Sequence, residues 1–196
     1  MSYDIRLKDP VTNETLEVQA HLLTGGTYAA EYDEATKTFY PKPITEAWLN
    51  ITYNYSGYFG EAMKEVCGKS HGINEFNKLE ASQCLPIISK MIDCIRGKYS
   101  DPVKPGSPDR IWRTRKETRA IYIDKDGKKI DGNEFLILSI TKNSDKNKYT
   151  KEEFEVEINE GDTSNYWERT AANAISALCK LKALMQLRPD GIVEVG

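Results

Sequence analysis

The densest run of aromatic and β-branched residues in the chain is the stretch AWLNITYNYSGYF, residues 47–59, within which apolar and polar positions alternate. Aromatic and β-branched residues are typical of strands, and successive side chains of a strand face opposite sides of a sheet. The pattern therefore predicts a central strand over 46–55. The residues on its more apolar side, which we expect to face the core, are Leu49, Ile51, Tyr53 and Tyr55.

Two shorter stretches near the start, 3–8 and 15–23, show the same alternation. The Asp9-Pro10 pair between them is a turn signal. Since two alternating stretches joined by a short polar turn are typical of a hairpin, we predict that 3–8 and 15–23 pair with each other antiparallel.

Three stretches have the 3.6-residue periodicity of amphipathic helices: 58–67, 82–95 and 171–187. Gly68 and Gly97 are the expected ends of the first two, because glycine readily adopts the left-handed conformation that ends many helices. Thr170 is the expected N-cap of the third. Its apolar stripe, at spacings of three and four, consists of Ala171, Ala174, Leu178, Leu181 and Met185.

A change of character begins at residue 98, where the stretch KYSDPVKPGSP contains three prolines and a glycine. Beyond it, 111–124, 134–141 and 153–158 are predicted strands, which we interpret as a small antiparallel meander. The expected fold is α+β: an antiparallel sheet with two or three packed helices and an inserted antiparallel β-meander. The expected main domain is 1–97 plus 163–196, and the expected insertion is 98–162.

The composition is that of a globular protein, with 39% hydrophobic and 29% charged residues in a chain of 196. The net charge of −3 argues against binding to nucleic acid through charge alone. The start of the chain has no apolar segment typical of a signal peptide, and no apolar run approaches the length of a membrane span, so we expect a cytoplasmic protein.

The four cysteines form no Cys-x-x-Cys pair, and we expect them to be buried small apolar residues in a reducing compartment. They are Cys67, Cys84, Cys94 and Cys179.

The usual signatures of chemistry are weak in this sequence. The two histidines, His21 and His71, lack cysteine or carboxylate partners at metal-ligand spacing. The stretch Asp124–Gly127 is interpreted as a hairpin turn, since its glycine is misplaced for a calcium loop. We therefore predict no metal, no cofactor and no catalytic activity.

A basic cluster with an aromatic residue inside it is the principal candidate site. Arginine binds phosphates and carboxylates through paired hydrogen bonds and stacks on rings, which suits a contact surface. A charged strand edge protected from aggregation is the alternative interpretation. Trp48, on the outer side of the central strand, is a second candidate anchor. The candidate partner-binding residues are Arg110, Trp112, Arg113, Arg115, Lys116, Arg119 and Trp48.

Both ends of the chain resemble a group of short uncharacterised proteins of phages and prophages of Gram-positive bacteria. The resemblance rests on YDIRLKDPVTNETLE, GGTY, WLNITYNYS and YWERTAANAISALCKLKALMQLRPDG. The C-terminal positions that match are Tyr166, Trp167, Thr170, Asn173, Ala174, Arg188, Pro189, Asp190 and Gly191. Members of the group are shorter and lack the block from about 98 to 162. The resemblance implies an origin in a mobile element, and no activity or site residue is transferred from it.

We expect from this combination a non-catalytic accessory protein that binds and inhibits a host antiviral defence factor in the bacterial cytoplasm. The first candidate partner is a CRISPR nuclease with its guide RNA, so the protein would be anti-CRISPR-like. Homo-oligomerisation stays open, and a structural or assembly component of a phage is one alternative. A second alternative is a protein that binds a nucleotide signal. Its ligand-binding residues would be Gly25, Gly26, Tyr28, Tyr53 and Arg188.

Overall fold

The computed structural model describes residues 2–21, 30–103, 105–106, 110–141 and 148–196. The strands are β1 Ser2–Lys8, β2 Glu17–His21, β3 Ala30–Asp33, β4 Thr38–Pro41, β5 Ile44–Glu46, β6 Trp48–Thr52, β7 Thr114–Asp124, β8 Lys129–Asp131, β9 Tyr149–Asn159 and β10 Ile192–Val195. The helices are α1 Ser56–Cys67, α2 Ala81–Tyr99, α3 Gly132–Thr141 and α4 Ala171–Leu187, with 3-10 turns at Tyr53–Tyr55 and Gly72–Phe76. The α+β fold class is confirmed.

The chain divides into two compact units. Unit 1 contains residues Met1–Arg113 and Glu160–Gly196, and unit 2 contains Thr114–Asn159. The expected insertion, 98–162, is longer than unit 2, because the stretches 98–113 and 160–162 belong to unit 1.

The main sheet of unit 1 has the order β10-β1-β6, and both pairings are antiparallel. The predicted hairpin of 3–8 with 15–23 is wrong for most of its length. Each edge of β1 is occupied by a strand distant in sequence. Between the described residues of the two stretches, antiparallel pairing is limited to a bridge from Lys8 to Thr15, beside which the Leu16 amide donates to the Leu7 carbonyl at 2.8 Å. Instead, β2 pairs with β5. Alternation indicates which face of a strand is buried, but it does not indicate which strand lies beside it.

One face of this sheet is covered by helices. Alternate residues of β1, from Tyr3 to Leu7, are buried, and their neighbours are half-exposed. The inward orientation predicted for Leu49 and Ile51 is confirmed. The strand ends at Thr52, however, whose hydroxyl accepts a hydrogen bond from the Asn54 amide and begins a 3-10 turn. The turn buries Tyr55 completely and leaves Tyr53 37% exposed.

The helix predicted over 171–187 is confirmed as α4, including its N-cap, because the Thr170 hydroxyl accepts a hydrogen bond from the Asn173 amide. All five residues of its predicted stripe are buried. The helix predicted over 82–95 is longer than expected. It continues through Gly97 and ends at Tyr99, with Ser100 as its C-cap. Gly97 is exposed inside the helix and does not adopt the left-handed conformation that would end it.

The C-terminal turn that follows α4 provides hydrogen-bond acceptors for the first backbone amides of α2. The carbonyl groups of Gly191 and Pro189 accept hydrogen bonds from the amides of Ala81 and Ser82, at 2.8 and 2.9 Å. The first amides of a helix have no partner within the helix itself. Unit 1 therefore joins its C-terminal segment to the middle of its chain through the backbone.

Unit 2 contains a three-stranded antiparallel sheet of order β8-β7-β9. The predicted strand at 134–141 is wrong, since this stretch forms α3. The Asp131 carboxylate accepts hydrogen bonds from the amides of Asn133 and Glu134, both at 2.8 Å, and so favours the start of a helix. The meander is therefore replaced by a hairpin, a helix and a returning strand. The interpretation of Asp124–Gly127 as a turn agrees with the structure, in which Gly127 has a φ of 79°.

The expected burial of the cysteines holds for one of them. Cys84 is buried, and burial raises the pKa of its thiol to about 12. Cys94 is half-buried, and Cys67 and Cys179 are exposed. Among the described residues, no helix has the length and apolar character that crossing a membrane requires.

The two ends of unit 2 are attached to adjacent points of unit 1, because the Glu160 amide donates to the Arg113 carbonyl at 3.0 Å. We therefore predict that replacing residues 114–159 by an Asn-Gly turn leaves unit 1 folded, since two residues suffice to join paired strands. Circular dichroism and a thermal melt should show the helical signal and a cooperative transition.

As a control, a chain that ends at Thr170 and lacks α4 and β10 should show no cooperative transition, because it loses the buried stripe of α4 and one edge strand of the sheet. Loss of cooperative melting in the turn-replaced variant would contradict the independence of unit 1.

Candidate functional site

The predicted basic cluster is divided between the two units. Arg110 and Arg113 belong to unit 1, whereas Arg115, Lys116 and Arg119 lie on β7 in unit 2. On a strand, odd and even residues face opposite sides, so Lys116 points away from the two arginines of β7. The sequence suggested a contiguous patch, but the strand separates its members.

The aromatic member of the cluster, Trp112, is not an exposed anchor. It is half-buried and packs against the hydrophobic core of unit 1. Its ring lies so close to Gly161 that a Cβ atom on this glycine would be 2.3 Å from Trp112 Cδ1. Trp112 was a candidate partner-binding residue, but its ring instead fills space where the chain re-enters unit 1.

The two arginines of unit 1 have partners in the stretch that follows α2. Arg110 Nη1 donates to the hydroxyl of the buried Ser100 at 3.2 Å. Arg113 Nη1 donates to the Lys98 carbonyl at 3.1 Å, and Arg113 Nε lies 3.5 Å from Asp101 Oδ1. These contacts attach Arg110 and Arg113 to the C-terminal end of α2 and the two residues after it, so both guanidinium groups have structural roles.

Much of unit 2 is a two-stranded ribbon of β7 and β9. The two strands pair along all eleven residues of each. We call the two sides of the ribbon the odd face and the even face, after the residue numbers of β7. On the odd face, the register places each β7 residue opposite an even-numbered residue of β9. The residues of this face are Arg115, Glu117, Arg119, Ile121, Ile123, Thr150, Glu152, Phe154, Val156 and Ile158.

Three charges alternate along the β7 side of the odd face. Arg115 Nη1 lies 2.6 Å from one oxygen of Glu117, and Arg119 Nε lies 3.3 Å from the other. The hydrogen bond from Arg115 lowers the pKa of Glu117, with a further contribution from Arg119. The carboxylate therefore stays ionised and orients both arginines along the strand.

Phe154 on β9 is the aromatic side chain that the odd face exposes. It lies directly opposite Arg119 and is 43% exposed, whereas Ile158 on the same strand is buried. Aromatic and arginine side chains are both enriched in protein–protein interfaces. The alternation of the EFEVEI stretch indicated a strand, but nothing in the sequence singled out Phe154 as its exposed member.

The even face is partly covered by α3. The Phe135 ring stacks on Tyr122 at 3.8 Å between centroids, and its edge meets Tyr149 at 5.4 Å. Leu136 and Ile137 on α3 remain more than half exposed. Unit 2 thus presents apolar side chains on a helix as well as on the odd face.

The second predicted anchor, Trp48, belongs to the outer face of the main sheet. Its indole Nε1 donates to Asp4 Oδ1 at 3.2 Å, and the same oxygen accepts from the side-chain Nδ2 of Asn50 at 3.0 Å. Trp48 is half-buried in this polar network of unit 1. It is therefore a candidate surface residue separate from the ribbon.

The residues of the alternative nucleotide site are only partly described, since Gly25, Gly26 and Tyr28 lie outside the described residues. Tyr53 packs on Tyr3 at 4.0 Å between centroids. Arg188 lies near the other end of β1, because Gly191 of the same turn packs against Leu7. Tyr3 and Leu7 are four residues apart on this strand, which corresponds to about 14 Å. The structure does not bring Tyr53 and Arg188 together.

The guanidinium group of Arg188 has partners of its own. It binds both oxygens of Asp190, at 3.0 and 2.7 Å, and donates to the Glu17 carbonyl at 3.1 Å. The hydrogen bonds from Arg188 lower the pKa of Asp190. The arginine therefore holds the turn after α4 against the chain near β2.

The segment before α4 is bound by polar side chains throughout. The Tyr166 hydroxyl accepts a hydrogen bond from the Thr52 amide at 3.1 Å, and the Tyr55 hydroxyl donates to the Tyr166 carbonyl. The Asn173 side chain donates to the carbonyl groups of Asn165 and Glu168, at 2.8 and 3.0 Å. Trp167, by contrast, is 57% exposed. Most of this segment thus serves the fold of unit 1.

A buried carboxylate completes this region. Glu160 is 1% exposed, and its Oε2 accepts hydrogen bonds from the Tyr58 hydroxyl and the Ala171 amide, both at 2.7 Å. An anion at the first amides of a helix is stabilised by the helix dipole. The carboxylate therefore links the start of α4 to α1.

In the described part of the chain, no group of three or more His, Cys, Asp or Glu side chains is arranged to hold a metal ion. Comparisons with protein-family models, with curated proteins and with solved structures find no match to this chain. The geometry of the surface therefore carries the functional argument.

We predict that Gly161→Ala destabilises the protein by about 1–3 kcal/mol, because its Cβ would collide with the Trp112 ring. Gly97→Ala is the matched control. It should stabilise the protein by about 0.5–1 kcal/mol, since this site in α2 is open and alanine favours helix. Chemical denaturation measures both. Equal stability of the two variants would show that Trp112 does not pack on Gly161.

We also predict that Tyr58→Phe lowers the free energy of unfolding by about 1–3 kcal/mol, since it removes a donor from the buried Glu160. Tyr99→Phe removes an equivalent hydroxyl that donates to the exposed Glu61, and it should cost less than about 1 kcal/mol. Urea unfolding of both variants compares the two sites. A larger loss for Tyr99→Phe would contradict the role assigned to Glu160.

Proposed function

We propose that this chain is an accessory protein of a phage or another mobile element, and that it inhibits a host antiviral defence protein by non-catalytic contact. A CRISPR nuclease with its guide RNA is the first target to test. The odd face of unit 2, with Phe154 beside Arg119, is the observation that carries the proposal.

Several features of this face suit a protein partner. An exposed aromatic ring supplies apolar contact area, and arginine supplies directed hydrogen bonds. Both side-chain types are enriched at protein–protein interfaces. Glu117 keeps Arg115 and Arg119 ordered before any partner arrives. Ordering before binding reduces the entropy lost on association.

The distribution of roles between the units is the second support. Residues that carry the resemblance to phage proteins, such as Tyr166, Asn173 and Arg188, form internal contacts of unit 1. Unit 2 lies within the block of about 98–162 that the phage group lacks, and its exposed residues are not needed for those contacts. We infer that unit 1 is the scaffold and that unit 2 is the binding element.

The nucleotide-binding alternative has less support in the geometry. A phosphate would compete with Asp190 for Arg188, and Tyr53 lies near the opposite end of β1. An assembly role for the phage would require a self-association surface, and light scattering of the purified protein measures the oligomeric state that such a surface would produce.

The test is a DNA-cleavage assay with purified, programmed Cas9 and increasing amounts of the purified protein. We predict inhibition near equal stoichiometry. Combining Phe154→Ala with Arg119→Ala should weaken inhibition at least about tenfold, since removal of central anchor residues commonly costs more than 1.4 kcal/mol. Ribonuclease treatment of the captured complex reveals whether guide RNA contributes to binding.

Phe39→Ala is the matched control, because Phe39 is 72% exposed and lies on β4 in unit 1. This variant should inhibit like the wild type. If the wild-type protein leaves cleavage unchanged, this target is wrong, and if Phe39→Ala weakens inhibition as much as the double variant, the binding surface is wrong.

A further inference from the structure

The outer backbone edge of β9 is open in its own sheet. β9 is the last strand in the order β8-β7-β9, and among the described residues no strand pairs with its other side. In an antiparallel strand, alternate residues direct their N–H and C=O groups away from the paired neighbour. The edge therefore offers a row of donors and acceptors to an added strand.

The middle of β9 is accessible from both sides. All side chains from Thr150 to Glu155 are exposed, on the odd and the even face alike. The strand is eleven residues long, contains no proline and pairs with β7 without a register shift. Shortness, proline and bulges are common protections of strand edges, and β9 has none of them.

Instead, β9 has a predominantly negative charge, and charged side chains are another common protection of strand edges against unwanted pairing. The strand carries four glutamates, Glu152, Glu153, Glu155 and Glu157, and one lysine, Lys151. In a full-length antiparallel pair of two β9 strands, Glu153 would lie opposite Glu155 twice and Lys151 opposite Glu157 twice. With four glutamates and one lysine, each strand would carry a net charge of −3. Charges of the same sign on adjacent strands are destabilising, so this net charge disfavours a second copy of the same edge.

The strand that β9 already binds shows which chemistry fits. The first half of β7 carries Arg115, Lys116 and Arg119. Lys116 lies directly opposite Glu157, and its Nζ is 3.2 Å from Glu155. Since the glutamates lie on both faces of β9, a cation on a strand at the outer edge would reach them as Lys116 of β7 reaches Glu155 at the inner edge.

We propose that the outer edge of β9, over residues 150–157, binds an extended basic segment of a partner protein by strand addition. The backbone supplies the hydrogen bonds, and the glutamates select lysine or arginine at facing positions. As a statement about biological role, this inference rests on the proposed function, because it describes the segment of the defence protein that would be bound.

The test uses the full-length protein and three eight-residue peptides. The first alternates lysine and valine, the second alternates glutamate and valine, and the third is the lysine peptide with every backbone amide N-methylated. Fluorescence anisotropy measures binding, and hydrogen exchange monitors the β9 amides. We expect the lysine peptide to bind at least tenfold more tightly than the other two and to slow exchange along β9.

Two protein variants with the same change in charge complete the experiment. Glu152→Lys combined with Glu153→Lys reverses the middle of the edge, and Glu14→Lys combined with Glu34→Lys reverses two exposed positions of unit 1. The first pair of substitutions should weaken binding of the lysine peptide at least tenfold, and the second pair should leave its affinity unchanged. Failure of the lysine peptide to bind, equal binding of the N-methylated peptide, or unchanged exchange in β9 would each overturn strand addition.

The nuclease assay separates this inference from the proposed function. If the peptides behave as expected and the nuclease is not inhibited, the edge binds basic strands and the proposed target is wrong. If the nuclease is inhibited and the Glu152→Lys, Glu153→Lys variant inhibits it equally well, the function stands and the edge is not the contact.

Discussion

The burial of the Glu160 carboxylate is the constraint on which the organisation of this chain depends. A buried charge is stable only when other groups replace the water it has lost. Here the Tyr58 hydroxyl and the Ala171 amide do so, and they belong to α1 and to the first turn of α4. Glu160 is the first residue after unit 2, and its carboxylate positions two helices of unit 1.

The neighbours of Glu160 extend the same junction. Its backbone amide is bonded to the Arg113 carbonyl, and its carbonyl accepts from the Ala172 amide at 2.8 Å. The next residue is Gly161, and the Trp112 ring occupies the space that a larger side chain at this position would need. The points where the chain leaves and re-enters unit 1 are therefore fixed by hydrogen bonding and packing together.

The sequence predicts the elements of this fold well where the determining interactions are local. α4 was predicted with its bounds, since both its N-cap and its apolar stripe lie within one short stretch. Local signals failed at 134–141, where a short apolar run fits a strand or a helix and the Asp131 cap decides. β10 was missed for a different reason, because its pairing with β1 joins opposite ends of the chain.

The candidate site was predictable only in part, for a related reason. The arginines and lysine between 110 and 119 are adjacent in sequence, but alternation along β7 and the boundary after Arg113 distribute them over separate surfaces. Phe154 becomes a neighbour of Arg119 through the register of β7 with β9, across more than thirty residues of sequence. Register depends on the whole hairpin and on the strand that returns, so no local pattern reveals this pair.

This arrangement also has a consequence for how an exposed surface can be added to a fold. A segment inserted between two points that are already hydrogen-bonded adds little loop-closure entropy to the scaffold, since the ends need not be brought together again. Its strands can then carry an exposed ring and a charged edge at no cost to the core of unit 1. The core residues of unit 1, including the buried stripe of α4, need not change when the exposed residues of unit 2 do. The fold thereby separates the residues that determine stability from those available for recognition.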